Sequence, residues 1–430
     1  MRTGSLLTFV AAGVFTTAAQ AAGFGIIEQG ASGLGAAFAG SAAQVNDASI
    51  QYFNPAGLAD LGRAEATVAL HAIDLSLKFT DGGSVLPPAG LGALPVGATS
   101  NDAGDTLLVP NLHLALPLRG GFTAGLSVST PYGLETDYDD PWIGRFQGIH
   151  SKLHTINVNP ALAWRLNEFV SLGVGASWQR AKATLTNAVM LGAATEGRAR
   201  LSLDDSAWGW NVGLLLTPHE SMRVGLGYRS RIDQNLSGDV TVTTAAGAPV
   251  AAASGPTNAA LDMPEQGYFS VAQRLGDRFT LLADASFTRW GRISELRALN
   301  STNGAPRDVL SLGFDNTWRF ALGGEYVLNE RWTLRGGVAR DESPVSADVR
   351  TVRLPDEDRQ WITVGARWRF SDQLTFDAGY AHIFVDDGTI ASTRPQVGAP
   401  ASFTSVVRGT VKSRVDILSV QVRYAVDAHL

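Results

Sequence analysis

Cysteine is absent from the 430 residues, and only 17% of them are charged. The first absence excludes disulfides, thiolate catalysis and Cys-based zinc sites together. The second separates the chain from ordinary soluble domains, where about a quarter of residues are charged. Long hydrophobic runs are missing too. Past the N-terminal leader no uncharged apolar stretch approaches the ~18–20 residues a membrane-spanning helix needs, which excludes a bundle of such helices. A formal charge of −6 gives no electrostatic reason to expect nucleic acid as a partner. Neither a Gly-x-Ser-x-Gly nucleophile motif nor a Walker-type phosphate loop occurs, so no catalytic residue is expected and the chain reads as no enzyme. What is present points one way. The 47 Gly, 18 Phe, 10 Trp and 8 Tyr supply more apolar and aromatic surface than a disordered chain carries, and together with low charge they fit a transmembrane β-barrel.

Residues 1–21 read as a secretory signal peptide. Arg2 precedes an apolar core from Leu6 to Ala18 and a small-x-small site at Ala19-Gln20-Ala21. The core is too short to span a bilayer. Cleavage there would leave a chain starting Ala22-Gly23-Phe24.

From residue 62 to 430 the dominant period is two. Met222, Val224, Leu226 and Tyr228 alternate with Arg223, Gly225, Gly227 and Arg229, and Ile362, Val364, Ala366 and Trp368 alternate with Trp361, Thr363, Gly365 and Arg367. Such stretches are strands with one apolar face, which in a barrel meets lipid while the other lines the lumen. Short polar breaks recur at Arg119-Gly120-Gly121, Asn167-Glu168, His219-Glu220-Ser221, Gly276-Asp277, Asn329-Glu330 and Ser371-Asp372. Their spacing of about 40 to 60 residues fits two strands plus one long loop, the bacterial outer-membrane pattern. The strand count is about fourteen, an even number as such barrels require. Trp164, Phe169, Phe279, Trp332, Phe370 and Phe376 flank the breaks as an interfacial girdle would.

Residues 22–61 lack the period of two. They are rich in Gly, Ala and Ser and contain Asn54-Pro55-Ala56, a turn signal. Small residues of this kind suit a plug packed in a lumen. Ala22-Gly23-Phe24, Ser32-Gly33-Leu34-Gly35 and Asn54-Pro55-Ala56 resemble the opening of the long-chain fatty acid transporter (FadL) family. The resemblance continues in order through Val109-Pro110-Asn111-Leu112-His113, Tyr132-Gly133-Leu134, Trp208-Gly209-Trp210-Asn211, Tyr228-Arg229-Ser230, Asp341-Glu342-Ser343-Pro344-Val345 and Leu354-Pro355-Asp356-Glu357-Asp358-Arg359.

The resemblance implies an all-β fold: a fourteen-stranded antiparallel transmembrane β-barrel in the bacterial outer membrane, with residues 22–61 as a hatch inside the lumen. It implies passive import of hydrophobic molecules, chiefly long-chain fatty acids, captured at extracellular loops and released sideways through a gap at a kink in the third strand. A monomer in contact with outer-membrane lipid and lipopolysaccharide is expected, with no cofactor. The third strand should run from Phe122 to Tyr138. Within it Pro131, Tyr132 and Gly133 are the candidate kink, because proline removes a ladder donor and glycine marks a bend. The competing reading ends the strand earlier and starts a loop at Pro131. By resemblance Phe24 meets ligand in the pocket, and Asn54, Pro55 and Ala56 hold the hatch. Leu185, Val189, Met190 and Leu191 form an apolar patch on a loop spanning Leu185–Gly197, a candidate first contact for ligand. That loop and Val242–Asp262 look short for the family.

A second departure concerns charge. Where the family holds the ligand carboxylate, this chain reads Ala183-Thr184-Leu185 and Ser311-Leu312-Gly313-Phe314-Asp315, without Lys or Arg. Arg180, Lys182, Arg307 and Arg319 stand nearby. Without a basic partner a buried carboxylate is costly, and a neutral aromatic or alkane hydrocarbon becomes the alternative cargo. A water-filled porin and an outer-membrane lipid hydrolase are weaker readings. His150 and His154 fall where a loop enters a strand, so a solvated pair is expected rather than a metal site. The same holds for Asp137, Asp139 and Asp140, while Asp356, Glu357, Asp358 and Arg359 read as a salt-bridge cluster.

Overall fold

The alternating segments form antiparallel strands that close on themselves. In the computed structural model, residues 23–87, 94–192 and 195–427 are described; the segment read as a signal peptide lies outside them. The wall consists of β1 (Ala64–Asp81), β2 (Ser100–Asp102 and Thr106–Pro117), β3 (Phe122–Ser129 and Gly133–Asp137), β4 (His150–Arg165), β5 (Val170–Gly192), β6 (Thr195–His219) and β7 (Met222–Arg229 and Ile232–Thr244). It continues through β8 (Gly255–Met263 and Gln266–Leu275), β9 (Phe279–Thr288 and Glu295–Asn300), β10 (Pro306–Ser311 and Thr317–Val327), β11 (Trp332–Asp341), β12 (Arg359–Arg369), β13 (Leu374–Val385 and Gly388–Pro395) and β14 (Thr404–Val426). β14 pairs with β1 from Ala64 opposite Val426 to Asp81 opposite Gly409, so the fourteen strands leave no open edge. In lipid that closure is obligatory, because unpaired backbone groups find no water there.

On β5 and β1 the two faces change character along the strand, in opposite senses. On β5 the outward Leu172 and Val174 are exposed and give way above to Arg180 and Lys182, while the inward Ser171, Ser177 and Gln179 give way to Ala181 and Ala183. On β1 the outward Val68 and Leu70 precede Asp74 and Lys78, and the inward Glu65, Thr67 and His71 precede Ile73, Leu75 and Leu77. The exterior is therefore apolar low on the wall, where lipid covers it, and polar above. The interior is polar low down and apolar above. Aromatics ring the periplasmic turns: Phe122 stacks on Trp164 at 5.5 Å and Trp332 on Trp368 at 6.0 Å.

The polar lower lumen receives residues 23–61, which form two single-turn helices (Ala31–Leu34 and Ile50–Phe53) and a 3-10 turn (Pro55–Asp60). Wall side chains bond to both the backbone and the side chains of this irregular segment. Ala42 N donates to Ser270 Oγ at 2.9 Å, Ala31 N to Gln421 Oε1 at 3.0 Å, and Gln44 Nε2 to Glu325 Oε2 at 2.6 Å. Arg335 then bridges Glu325 at 2.7 Å and Asp377 at 2.6 Å, all three buried.

Two sequence expectations need correction. Leu185–Gly197 and Val242–Asp262 are not loops over most of their length: β5 runs to Gly192, β6 begins at Thr195, and β8 begins at Gly255. The alternation that makes a strand continues above the membrane because its inward residues, such as Leu201, Leu203 and Val242, still have an apolar interior to face.

Candidate outer cavity and wall interruption

β3 breaks at Thr130-Pro131-Tyr132. Below the break it pairs with β2 from Thr123 opposite Pro117 to Val128 opposite Leu112, and with β4 from Phe122 to Ser129. Above the break it keeps β4, from Gly133 opposite His154 to Asp137 opposite His150. Among the described residues it forms no ladder there with β2. The edge so released is met from inside the barrel. Pro131 O accepts from Ile26 N at 2.8 Å and Gly133 N donates to Phe24 O at 2.8 Å, so the N-terminal segment forms an antiparallel bridge between Gly25 and Tyr132. Proline fits where a donor would have no strand partner. Thr155 on β4 fixes the bend by donating its hydroxyl to Tyr132 O at 2.7 Å. Across the lumen Tyr132 OH donates to Pro264 O at 2.9 Å, in the break between the two parts of β8.

This bridge delivers Phe24 to an aromatic cluster. Its ring centroid lies 4.7 Å from that of Trp290, 6.0 Å from Tyr132 and 6.3 Å from Phe314. The end of the segment is tied down by Gly23 N donating to Asp356 Oδ2 at 2.8 Å, and Asp356 also pairs with Arg359. Above the cluster Leu134, Leu153, Leu201, Leu203, Leu236 and Leu261 continue one buried apolar surface. It reaches a cavity of about 310 Å³ near the extracellular end, to which Leu185 and Leu201 are common. Leu185, Val189, Met190 and Leu191 all line that cavity. They do not form the exposed patch expected from the sequence: Met190, on the opposite strand face from Leu185, Val189 and Leu191, is only 3% exposed and packs with Phe146 and Ala188.

The four nearby cations divide by strand parity. Arg180 and Lys182 point outward from β5. Arg319 points inward but below the aromatic cluster, donating to Ala37 O at 2.8 Å. Arg307 lines the outer cavity, donates Nη1 to Ala253 O at 3.1 Å, and leaves Nε without a partner. Arg353, on the loop after β11, is also buried and bonds only to neutral oxygens, among them Ser151 Oγ at 2.9 Å and Thr186 O at 3.1 Å. Burial and the nearby Arg394 bring its pKa down to about 9. In the N-terminal segment, burial pushes the Glu28 carboxyl up to about 7, against the pull of Arg319 and Arg359.

Asn54, Pro55 and Ala56 sit far from this chamber, at the lower wall. Asn54 Oδ1 accepts from Ala56 N at 3.0 Å and Nδ2 donates to Ala42 O at 2.7 Å and Leu214 O at 3.0 Å. Glycine at 173 and 213 permits the approach, since a Cβ at either would strike Ala56 N or Asn54 Oδ1. Trp290 escaped the sequence reading. Its only signal was a tryptophan followed by glycine at the end of a strand, where an interfacial role is the commoner one. No cluster of His, Asp and Glu able to hold a metal occurs among the described residues.

A family model described as "Outer membrane protein transport protein (OMPP1/FadL/TodX)" matches residues 12–426. The chain belongs to this family. Within the FadL family it is 29% identical over 409 residues to a long-chain fatty acid transport protein of Escherichia coli O6:H1, covering 87% of this chain and 89% of the relative. It is 31% identical to a 47 kDa outer membrane protein of Pasteurella multocida, covering 86% and 89%. A Pseudomonas aeruginosa FadL homologue superposes with a TM-score of 0.87 at 24% identity, covering 94% of this chain and 99% of that one. The Ralstonia pickettii toluene transporter TbuX shares the fold at a TM-score of 0.67 and 16% identity, with coverage of 94% and 99%. The protein is thus an outer-membrane β-barrel of a transporter family for hydrophobic compounds.

Proposed function

We propose that this protein imports long-chain fatty acids by passive lateral diffusion, without catalysis. The observation that carries the reading is a continuous apolar surface. It runs from the outer cavity through the leucine-lined chamber to Phe24, which stands at the interruption of β3. Ligand enters among Leu185, Val189, Met190 and Leu191, with Arg307 offering the carboxylate a partner. It descends until the Phe24–Ile26 bridge blocks it. Release of that bridge leaves the β3 edge at Pro131, Tyr132 and Gly133 unpaired, and the gap toward β2 becomes the way out into lipid. Asn54, Pro55 and Ala56 anchor the far end of the segment, so that only its tip need move. The wall closes within one chain, and a monomer suffices. The relatives named as fatty acid transporters support an acidic cargo.

Neutral hydrocarbon is the second reading, and one observation favours it: the rings of Trp290, Tyr132 and Phe314 surround Phe24. Uptake of radiolabelled oleate and toluene, measured in a Gram-negative host lacking its own transporter, separates the two. Wild type should take up oleate, Arg307→Met should lose most of that uptake while keeping any toluene uptake, and Pro131→Ala/Gly133→Val should lose both. Toluene uptake alone assigns hydrocarbon import. Uptake of neither by a folded barrel defeats the transport reading.

A further inference from the structure

The wall interruption has a second rim, on β2. Hydrogen-bonded pairs of the β2–β3 ladder recur every second residue from Leu118, whose N donates to Phe122 O at 2.8 Å. After Leu112 opposite Val128 the next such pair would join Pro110 to Thr130, and Pro110 has no N–H to give. On the other rim Ser129 lies opposite Asn157 but Gly133 lies opposite His154, so β3 spends one residue more than β4 across the break. That bulge turns Pro131 O and Gly133 N toward the N-terminal segment. Proline on one strand and a bulge on the other thus part the two edges, and residues 24–29 cross between them. At β3 the segment is held by the backbone bonds of the Gly25–Tyr132 bridge. At β2 it is held by side chains. Asn111 Nδ2 donates to Glu28 O at 2.7 Å and His113 Nε2 to Gln29 O at 2.9 Å, both from fully buried positions. Gln29 Nε2 donates back to Ile26 O at 3.0 Å and braces the turn.

We propose that Asn111 and His113 are positioning residues for the lateral exit: they fix the segment at the β2 rim, so that residues 23–25 open as a flap from the β3 rim on a pivot at Ile26. Opening breaks the bonds at Gly23, Phe24 and Ile26 and keeps those at Glu28 and Gln29. Two observations put the pivot there. Among the described residues Asn111 Oδ1 and His113 Nδ1 have no partner, so losing the pins would strip each buried side chain of its only hydrogen bond. Gly25, Ile26 and Ile27 also line a cavity of about 30 Å³, which leaves the pivot room to turn. Below it Ala31 N is bonded to Gln421 of β14, so the chain beyond the pins is fastened again. A fixed β2 end keeps the tip within reach of Pro131 O and Gly133 N, and the breach reseals after each passage. The role of the flap rests on the lateral-exit reading; its attachment is measured without cargo.

Hydrogen exchange of the full barrel in detergent, read at single amides by mass spectrometry, tests it. In wild type the amides of Ile26 and Gly133, bonded across the β3 rim, should exchange at least tenfold faster than that of Ala31. Asn111→Leu/His113→Phe should raise the Ala31 rate tenfold or more and leave unchanged that of Thr217, bonded to Phe169 O on another part of the wall. Single Asn111→Leu should show the same change in smaller measure, and serves if the double variant lacks the heat-modifiable mobility of a folded barrel. Equal rates at Ile26, Gly133 and Ala31 in wild type overturn the pivot, because the segment then leaves as one piece. An Ala31 rate untouched by the substitutions overturns the pins. Added oleate or toluene should speed Ile26 and Gly133 alone, and speeding Ala31 equally overturns the flap. Cargo that speeds none of them counts against the transport reading, while the cargo-free rates still decide the pins.

Discussion

Glu28 shows how one side chain couples the inner segment to its surroundings. It is buried, its Oε2 has no partner, and the charged groups that act on it come from three wall strands: Arg319 on β10, Asp341 on β11 and Arg359 on β12. Burial is the largest influence and raises the carboxyl from 4.5 to about 7; Asp341 adds to this, while a backbone hydrogen bond and the two arginines oppose it. A carboxyl that binds its proton more tightly when seated than when released favours the seated state at low pH. That contribution is complete below pH 4.5 and is lost as pH rises through about 7. Because Glu28 lies two residues beyond Ile26, which bonds to Pro131 O, the loss loosens the bridge to β3. The chain contains no cysteine, so a spin label at Ile27→Cys reports on this region alone. Its mobility should rise between pH 5.5 and 8.5, and Glu28→Gln should hold it at the low-pH value throughout. Superimposable wild-type spectra across that range would count against the coupling.

At the scale of elements, glycines on the inner wall decide where the N-terminal segment can lie. Gly213 on β6 meets Asn54 Oδ1 so closely that a Cβ there would overlap it. Gly213→Val should displace Asn54, break its bonds to Ala42 O and Leu214 O, and free the lower segment. Single-channel recording in planar bilayers should then show a clear conductance against a nearly silent wild type; a silent variant would mean that the segment is held elsewhere. The sequence made much of this level legible. The period of two gave the strands and their number, and the polar breaks gave the tight turns. Pro131 and Gly133 marked an interruption because proline cannot donate to a ladder. Other features were hidden for physical reasons. The Tyr132–Pro264 bond and the Trp290–Phe24 contact join residues remote in sequence, and no local periodicity encodes a partner across a lumen. The β5–β6 extension reads as a loop in sequence because small and polar residues there break the apolar rhythm without breaking the ladder.

The whole molecule is organised by the reversal of polarity with height. A wall that is apolar outside and polar inside low down, then polar outside and apolar inside above, fixes at once the lipid band, the bed for the inner segment and the chamber for cargo. Parity alone separates these roles, which is why Arg180 and Lys182 leave the chamber while Arg307 stays in it. The same logic makes stability depend on depth. Val174 on β5 is 56% exposed and lies within the outward apolar band, four residues below Trp178. Val174→Arg should destabilise the barrel by about 2–4 kcal/mol, the cost of an arginine near the bilayer midplane. Arg180→Leu at the upper edge removes only an exposed ion pair with Asp204 and should change stability by less than ~1 kcal/mol. Reversible urea unfolding in lipid vesicles measures both. Similar costs at the two positions would show that lipid reaches beyond Trp178, the last outward aromatic before Arg180 on β5.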